Sequence, residues 1–357
     1  MHTLRSVLRA LLALTLSAIT IALASADATA QASAAANPAP KKWYDTITIK
    51  GFLQFDTVFP EGASRAGEVS NIRVRRARPT IQAQVDPLTR IQVQFDLSTA
   101  RPYTGNPSGG SGQSNAMVTD TFADHTFPGL GYVRVGQMLL PFSREVHEDN
   151  AAVRSPLELS YAAEAVSLNE RDLGILLGSQ VPEEQPLHWE FGFFNGQGWR
   201  TADANANKTW MGRLATYVHP KVRVGLNGIT GTYKDTSGKG SGLTYRRDVL
   251  SGELAIHATK AITLSGEIYN CLFVDNPAAA TKAARFTGGY LLLESWIGSL
   301  KSIPYVRYQR TYGDLSYRSI DLGWRYQYAP NQRFTVEYDI VRAANANALG
   351  ARWQLNF

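Results

Sequence analysis

The most densely charged stretch of the sequence is an arginine run within residues 72–78. Four arginines stand there within six positions: Arg73, Arg75, Arg76 and Arg78. Arginine stays charged at any relevant pH and presents a planar set of donors, so a passage lined with it replaces part of the hydration of an anion. The run therefore predicts a basic pathway for anions, or alternatively a wall in which the arginines only pair with acidic residues.

A second charged stretch, from Phe142 to Glu170, has the opposite sign. It contains two basic and six acidic residues, a net charge of -4. It also contains Leu157, Leu159 and Val166, which can pack against another surface. We expect this segment to fold into an enclosed space and to narrow it, with four constriction residues: Arg144, Glu145, Glu148 and Asp149. The alternative is a solvated outer loop.

Enzymatic chemistry finds little support in the sequence. The six histidines are scattered without metal-binding spacing, and His147-Glu148 lacks a second histidine four positions after the first. The Gly-Ser stretches at 109–112 and 238–241 lack the strand-to-helix setting of a nucleophile elbow or a phosphate loop. We predict no enzyme, no cofactor and no metal site, and leave a lipase-like or protease-like enzyme or a receptor as alternatives.

Composition limits the class of protein further. The 357 residues carry a net charge of +6, with 44% hydrophobic and 10% aromatic residues and a mean hydropathy of -0.20. These values argue against a polytopic helical membrane protein and against disorder. The small net charge predicts no nucleic-acid partner. The single cysteine, Cys271, permits no internal disulfide.

The N-terminus has the pattern of a secretory signal. Arg5 and Arg9 precede an uncharged apolar stretch over 10–24, and small residues with several A-x-A sites follow. A single membrane anchor is the alternative. The predicted division is a signal peptide at 1–30, a flexible lead-in at 31–43 and the folded chain at 44–357.

Period-two alternation dominates the chain after Trp43. In Ile91, Val93, Phe95 and Leu97 the apolar side chains occupy odd positions and polar residues fill the even ones. Such alternation gives a strand one apolar and one polar face. Repeated to the C-terminus, it predicts sixteen antiparallel strands joined alternately by short turns and long loops.

A membrane barrel and a soluble sandwich share this alternation, but three features favour the barrel. Most strands run for about ten residues and are even in number, as in outer-membrane barrels. Their apolar faces carry aromatic residues such as Trp324 and Tyr326 near the strand ends. The final strand ends at Phe357, which we expect the outer-membrane assembly machinery to recognise. We predict an all-β, sixteen-stranded antiparallel transmembrane β-barrel with short periplasmic turns, long outer loops and an inward-folded third loop.

Strict alternation meets one conflict in the arginine run. It would point Arg73 and Arg75 at lipid, which is costly at mid-membrane. Either the run lies above the hydrocarbon, or a β-bulge turns one of them inward. By the same alternation many arginines face the lumen: Arg76, Arg78, Arg134, Arg213, Arg223, Arg247, Arg307, Arg325, Arg333 and Arg352.

Several short motifs resemble the phosphate-selective porin O/P family of Gram-negative outer membranes. They cover most of the chain after the leader and keep the order of that family: Gly51-Phe52-Leu53-Gln54-Phe55-Asp56, Arg75-Arg76-Ala77-Arg78, Val133-Arg134-Val135-Gly136-Gln137, Pro141-Phe142-Ser143-Arg144-Glu145, Glu170-Arg171-Asp172-Leu173-Gly174 and Phe193-Phe194-Asn195-Gly196-Gln197-Gly198. The resemblance implies a homotrimeric porin whose Arg/Lys pathway attracts phosphate or polyphosphate. It assigns Arg75, Arg76 and Arg78 to that pathway and places Arg134 near the constriction.

The expected function is passive diffusion of small hydrophilic solutes, especially anions, across the outer membrane. Met138, Leu139 and Leu140 stand where the family has pathway lysines. A general, weakly selective channel is therefore the alternative to a phosphate-selective one.

Overall fold

A computed structural model provides the three-dimensional description of the chain. It describes residues 42–61, 71–98, 117–148, 151–167, 170–179, 187–198, 203, 206–234, 244–274, 284–341 and 347–357. The predicted signal peptide at 1–30 and nearly all of the lead-in at 31–43 lie outside these ranges, as does Asp149. No helix among the described residues is long and apolar enough to cross a membrane.

The described residues form sixteen strands in one closed antiparallel barrel, as the alternation predicts. Each strand pairs with its neighbours in sequence, and β1 pairs with β16. The strands are β1 Thr48–Pro60, β2 Asn71–Gln84, β3 Thr89–Asp96, β4 Met117–Phe127, β5 Gly131–Leu139, β6 Arg171–Gly178, β7 Leu187–Phe194, β8 Thr209–His219, β9 Val222–Lys234, β10 Thr244–His257, β11 Ile262–Val274, β12 Ala284–Ser295, β13 Ser302–Gly313, β14 Tyr317–Ala329, β15 Gln332–Val341 and β16 Ala348–Asn356.

The barrel closes between the first and last strands. Gly51 N donates to Phe357 O at 2.8 Å, and Phe357 N donates to Gly51 O at 3.0 Å. Closure leaves no open sheet edge. One rim carries mostly short turns and the other mostly long loops, with exceptions at 179–186 on the short-turn rim and at 314–316 on the long-loop rim.

The two faces of the barrel differ in polarity. Along β1, Gln54 and Asp56 are buried in the lumen, whereas Phe59 is exposed on the outside. Most strands repeat this alternation, and the outer face exposes large apolar side chains: Ile72, Ile268, Leu291, Leu293, Trp324, Tyr326, Phe334 and Trp353. An apolar surface of this extent needs lipid or a partner to cover it.

A β-bulge resolves the conflict in the arginine run. Gln54 pairs with Arg76 and Phe55 pairs with Val74, so Arg75 is an extra residue without a partner position on β1. Arg73 pairs with the inward-facing Asp56. A residue inserted at a bulge changes the alternation of the side chains that precede it. The structure thus has the bulge that the sequence offered as one alternative, and this bulge turns both Arg73 and Arg75 inward, where one was expected. All four arginines of the run therefore face the lumen.

The third loop, residues 140–170, folds back into the barrel. It contains two short helices, α1 (Arg144–His147) and α2 (Tyr161–Val166). Ser143 and Ser160 cap these helices by accepting from Val146 N and Ala163 N. Helix α2 contacts β11, β12 and β13.

Apolar side chains hold this loop against the wall. Seven loop residues join one buried cluster with wall residues that include Tyr269 and Met211: Leu140, Phe142, Val146, Leu159, Ala162, Ala163 and Val166. The inward-folded third loop follows from these contacts, because their burial removes apolar area from water.

Candidate functional site

Glu158 of the third loop is the centre of an arginine cluster. Its carboxylate accepts from Arg75 at 2.8 and 2.9 Å, from Arg76 Nη2 at 2.8 Å and from Arg352 Nη2 at 2.7 Å. Arg154, four residues earlier in the loop, lies 3.7 Å away. One carboxylate thus joins the bulged strand β2, the last strand β16 and the loop itself.

The surroundings of Glu158 and Arg154 shift their proton affinities in the expected directions. Burial opposes the charge of Glu158, but the nearby arginines, Arg75 first, outweigh it and hold its pKa well below the usual range. Burial lowers the pKa of Arg154 to about 10, and repulsion from Arg76 acts in the same direction. Both groups remain charged at neutral pH, so the cluster is an array of ion pairs.

Two further loop carboxylates dock on other parts of the wall. Glu145 accepts from Arg307 Nη1 at 3.0 Å on β13. Glu148 lies 2.5 Å from Arg213 Nη2 on β8 and also pairs with Arg223 on β9. Arg144 lies 3.7 Å from Glu148 within the loop. The loop is therefore bound by charge pairs on both sides of the lumen.

Backbone carbonyls of residues 151–153 add a third attachment. Gln54 Nε2 donates to Ala151 O at 2.7 Å and Gln354 Nε2 to Ala152 O at 2.9 Å. Val153 O accepts from the arginines at 325 and 333, at 2.8 and 3.2 Å. Polar wall residues thus satisfy the loop backbone, which would otherwise be buried without partners.

Arg78 and Arg134 have a different setting from Arg75 and Arg76. Arg78 Nε lies 2.9 Å from Asp96, and Arg134 makes two bonds to Asp124, at 2.6 and 3.1 Å. Asp124 also pairs with Arg90. These pairs lie within the wall of β2–β5 and do not involve the loop.

A cavity of about 490 Å³ remains between the loop and the wall formed by β1–β6 and the end of β16. Five basic side chains line it: Lys50, Arg78, Arg90, Arg134 and Arg171. Four carboxylates lie among them or pair with them: Asp96, Asp120, Asp124 and Glu170. The charges nearly balance, with a small positive excess.

The structure thus divides the sequence-predicted residues into two groups. Arg75, Arg76, Glu145 and Glu148 hold the loop against the wall, whereas Arg78 and Arg134 face the remaining cavity. In the sequence, the loop and the arginine run carry net charges of opposite sign. Among the described residues these opposite charges are in direct contact, which weakens any field across the lumen.

Sequence reasoning missed two features of the site. Glu158 was counted among the acids of the loop but not among its constriction residues, and Arg352 was assigned only to the lumen. A second miss is a cluster of His147, His188 and Glu190, whose ligand atoms all lie within 4.8 Å of one another. The two histidines are far apart in sequence, so no local spacing indicates the cluster.

Comparisons with solved structures identify the same fold. The anion-selective porin from Comamonas acidovorans aligns with a TM-score of 0.64 at 12% identity, covering 87% of this chain and 99% of that one. OmpF of Salmonella typhi in complex with daunomycin aligns with a TM-score of 0.66 at 12% identity, covering 88% and 99%. OmpT of Vibrio cholerae, in a trimer form, gives 0.60 at 12% identity, covering 87% and 99%. No protein-family model matches the sequence, and no curated protein matches it.

Proposed function

We propose that this chain is a passive diffusion channel of the Gram-negative outer membrane, with a weak preference for small anions. The observation that carries the proposal is a hydrophilic lumen inside an apolar outer face, narrowed by a loop that leaves a cavity lined by five basic side chains. Solutes would cross down their gradients without chemistry or coupled energy. The known porins that share this fold support the same activity.

The expected selectivity follows from the charge pairing. Arg75 and Arg76 are occupied by Glu158, and Arg78 and Arg134 by Asp96 and Asp124. A paired arginine attracts a passing anion less than an isolated one, because its partner carries the opposite charge. This favours weak anion preference over strict phosphate selectivity. The phosphate-selective porin O/P family remains a hypothesis that rests on the motifs alone.

Three further aspects belong to the same proposal. The leader at 1–30 would be cleaved during export. The chain would form a homotrimer in outer-membrane lipid, as OmpT does in its trimer form. The exposed side chain of Phe357 would serve as the contact for the assembly machinery.

An enzyme is the main competing proposal, and its best group is Ser179, His188 and Glu190. Ser179 Oγ lies 3.3 Å from His188 Nδ1 and accepts from Trp189 N at 3.2 Å. Ser179 is only 6% exposed. A nucleophile needs an exposed position beside an acyl carbon, so this serine fits a structural role.

Swelling of proteoliposomes tests the proposal. Vesicles containing the protein should swell in small uncharged sugars much faster than protein-free vesicles. Ala152→Trp, which places an indole in the cavity, should slow the swelling, whereas Ala123→Trp on the outer face should leave it unchanged. Equal rates with and without protein would refute the channel, and hydrolysis of phospholipid that Ser179→Ala abolishes would favour the enzyme.

A further inference from the structure

The cluster of His147, His188 and Glu190 joins the third loop to the barrel wall. His147 is the last residue of α1, and the other two lie on β7. His147 Nε2 is 3.0 Å and His188 Nε2 is 3.8 Å from the same oxygen, Oε2 of Glu190. The fold of the loop brings these three residues together, and the proposed permeation assigns no function to them as a group.

The hydrogen bonds around His147 leave its Nε2 without a proton to donate in the neutral ring. His147 Nδ1 lies 3.1 Å from Leu140 O, and a carbonyl oxygen can only accept, so the Nδ1 carries the proton. The lone pair of Nε2 then faces the carboxylate at 3.0 Å. Two acceptors at this distance repel each other unless a proton on the imidazole or a metal ion lies between them.

The carboxylate of Glu190 is buried and faces the two histidines. Its side chain is 2% exposed, and the described groups that face its buried Oε2 as ion-pair partners are the two imidazoles of His147 and His188. Its Oε1 accepts from Tyr132 OH at 2.5 Å, which orients the carboxylate. A buried carboxylate oxygen costs free energy unless a donor or a cation satisfies it, and this one points at two imidazole nitrogens.

These three groups have the features of a metal site. Two imidazole nitrogens and a carboxylate are ligands that Zn²⁺ accepts, at about 2.0–2.2 Å each. Each histidine has its Nδ1 next to a second group, Leu140 O or Ser179 Oγ, as metal-bound histidines do. At about 2.1 Å, tetrahedral ligands lie about 3.4 Å apart, so small side-chain rotations would close the cluster around an ion.

We propose that His147, His188 and Glu190 bind one divalent transition-metal ion, best fitted by Zn²⁺, that fastens the third loop to β7. His147 also lines the cavity, which gives the ion a path from the lumen and leaves a position for water as fourth ligand. Loop position would then depend on metal as well as on the charge pairs of Glu145, Glu148 and Glu158.

Titration of the purified metal-free chain with Co²⁺ and Zn²⁺ tests this proposal. We expect one saturable Co²⁺ per chain with a tetrahedral visible spectrum, displaced by Zn²⁺. His147→Gln and His188→Gln should each weaken binding at least tenfold. His125→Gln, an exposed histidine outside the cluster, should bind as the unmodified chain does.

A second measurement separates a metal clamp from adventitious binding. Zn²⁺ should slow amide hydrogen exchange in 144–147 of the unmodified chain but not of the His188→Gln variant, whose barrel circular dichroism should be unchanged. No saturable binding, or binding and exchange that are the same in both cluster variants as in the unmodified chain, would overturn the proposal. Neither readout depends on conductance, so the channel and the metal site can fail separately.

Discussion

Arg75 donates two hydrogen bonds to Glu158, from Nε to Oε1 at 2.8 Å and from Nη2 to Oε2 at 2.9 Å. This pair joins a β-bulge to the loop that narrows the barrel. Without the bulge, Arg75 would face outward and could not reach Glu158. The position of the loop therefore depends on one extra residue in β2.

Two single-residue deletions test the role of the bulge. Deletion of Arg75 removes the extra residue and keeps every other side chain of β2 on its present face. Deletion of Val74 instead places Arg75 or Arg73 opposite Phe55, on the outer face. An arginine facing lipid costs about 2–4 kcal/mol at mid-membrane, so we expect the Val74 deletion to unfold at lower denaturant than the Arg75 deletion. Equal stabilities would contradict the bulge.

Glu158→Gln tests the arginine cluster. The substitution keeps the size of the side chain but leaves Arg75, Arg76, Arg154 and Arg352 without their shared carboxylate. Breaking a buried ion pair costs about 3–5 kcal/mol, and the Glu158 side chain is 24% exposed, so we expect a loss of about 2 kcal/mol in denaturant unfolding. Anion preference should rise at the same time. Asp86→Asn, in an exposed turn, is the control and should change neither the stability nor the ion selectivity. A Glu158→Gln channel with unchanged selectivity would show that Glu158 does not offset the charge of these arginines.

The cavity-facing arginines should set ion preference. Replacing both Arg78 and Arg134 with Gln removes two of the five basic side chains that line the cavity, so the reversal potential in a KCl gradient should move toward the cation value. Lys221→Gln removes one positive charge at an exposed turn outside the lumen. This control should leave the reversal potential unchanged. If the double variant keeps the original reversal potential, Arg78 and Arg134 do not control selectivity.

Glu164 should make selectivity depend on pH. Burial raises its pKa to about 7, and repulsion from Glu158 acts in the same direction. Because its pKa in the folded chain is above the unfolded value, its contribution to stability is complete below about pH 4.5 and is lost as pH rises through about 7. The added negative charge should also lower anion preference between pH 6 and 8. Glu164→Gln should flatten this change in reversal potential, and a full change in that variant would exclude Glu164 as its cause.

The strands were predictable because each buries one face, which imposes a period of two on the sequence. The inward direction of Arg76, Arg213 and Arg307 follows from that period, and all three are buried in the lumen. The direction of Arg75 does not follow from the period. The cost of an arginine facing lipid indicated only that a bulge or a position above the hydrocarbon must relieve it, and the sequence did not decide between the two.

The pairings of the third loop were beyond the sequence for a different reason. Glu158 meets Arg75 and Arg352 only after the loop folds back and the barrel closes. The same applies to His147 and His188, which the loop brings to one carboxylate. The charge of the loop could predict that it faces a basic wall, but not which residues would touch.

The most direct test of the account is the single-channel current of the purified protein in a planar lipid bilayer, under a KCl gradient. We expect a stable open channel whose reversal potential favours chloride modestly, with little block by added phosphate. Strong block at low phosphate concentration would show a selective phosphate site that paired arginines do not explain. No conductance, or a reversal potential that favours potassium, would contradict the proposal of a weakly anion-preferring diffusion channel.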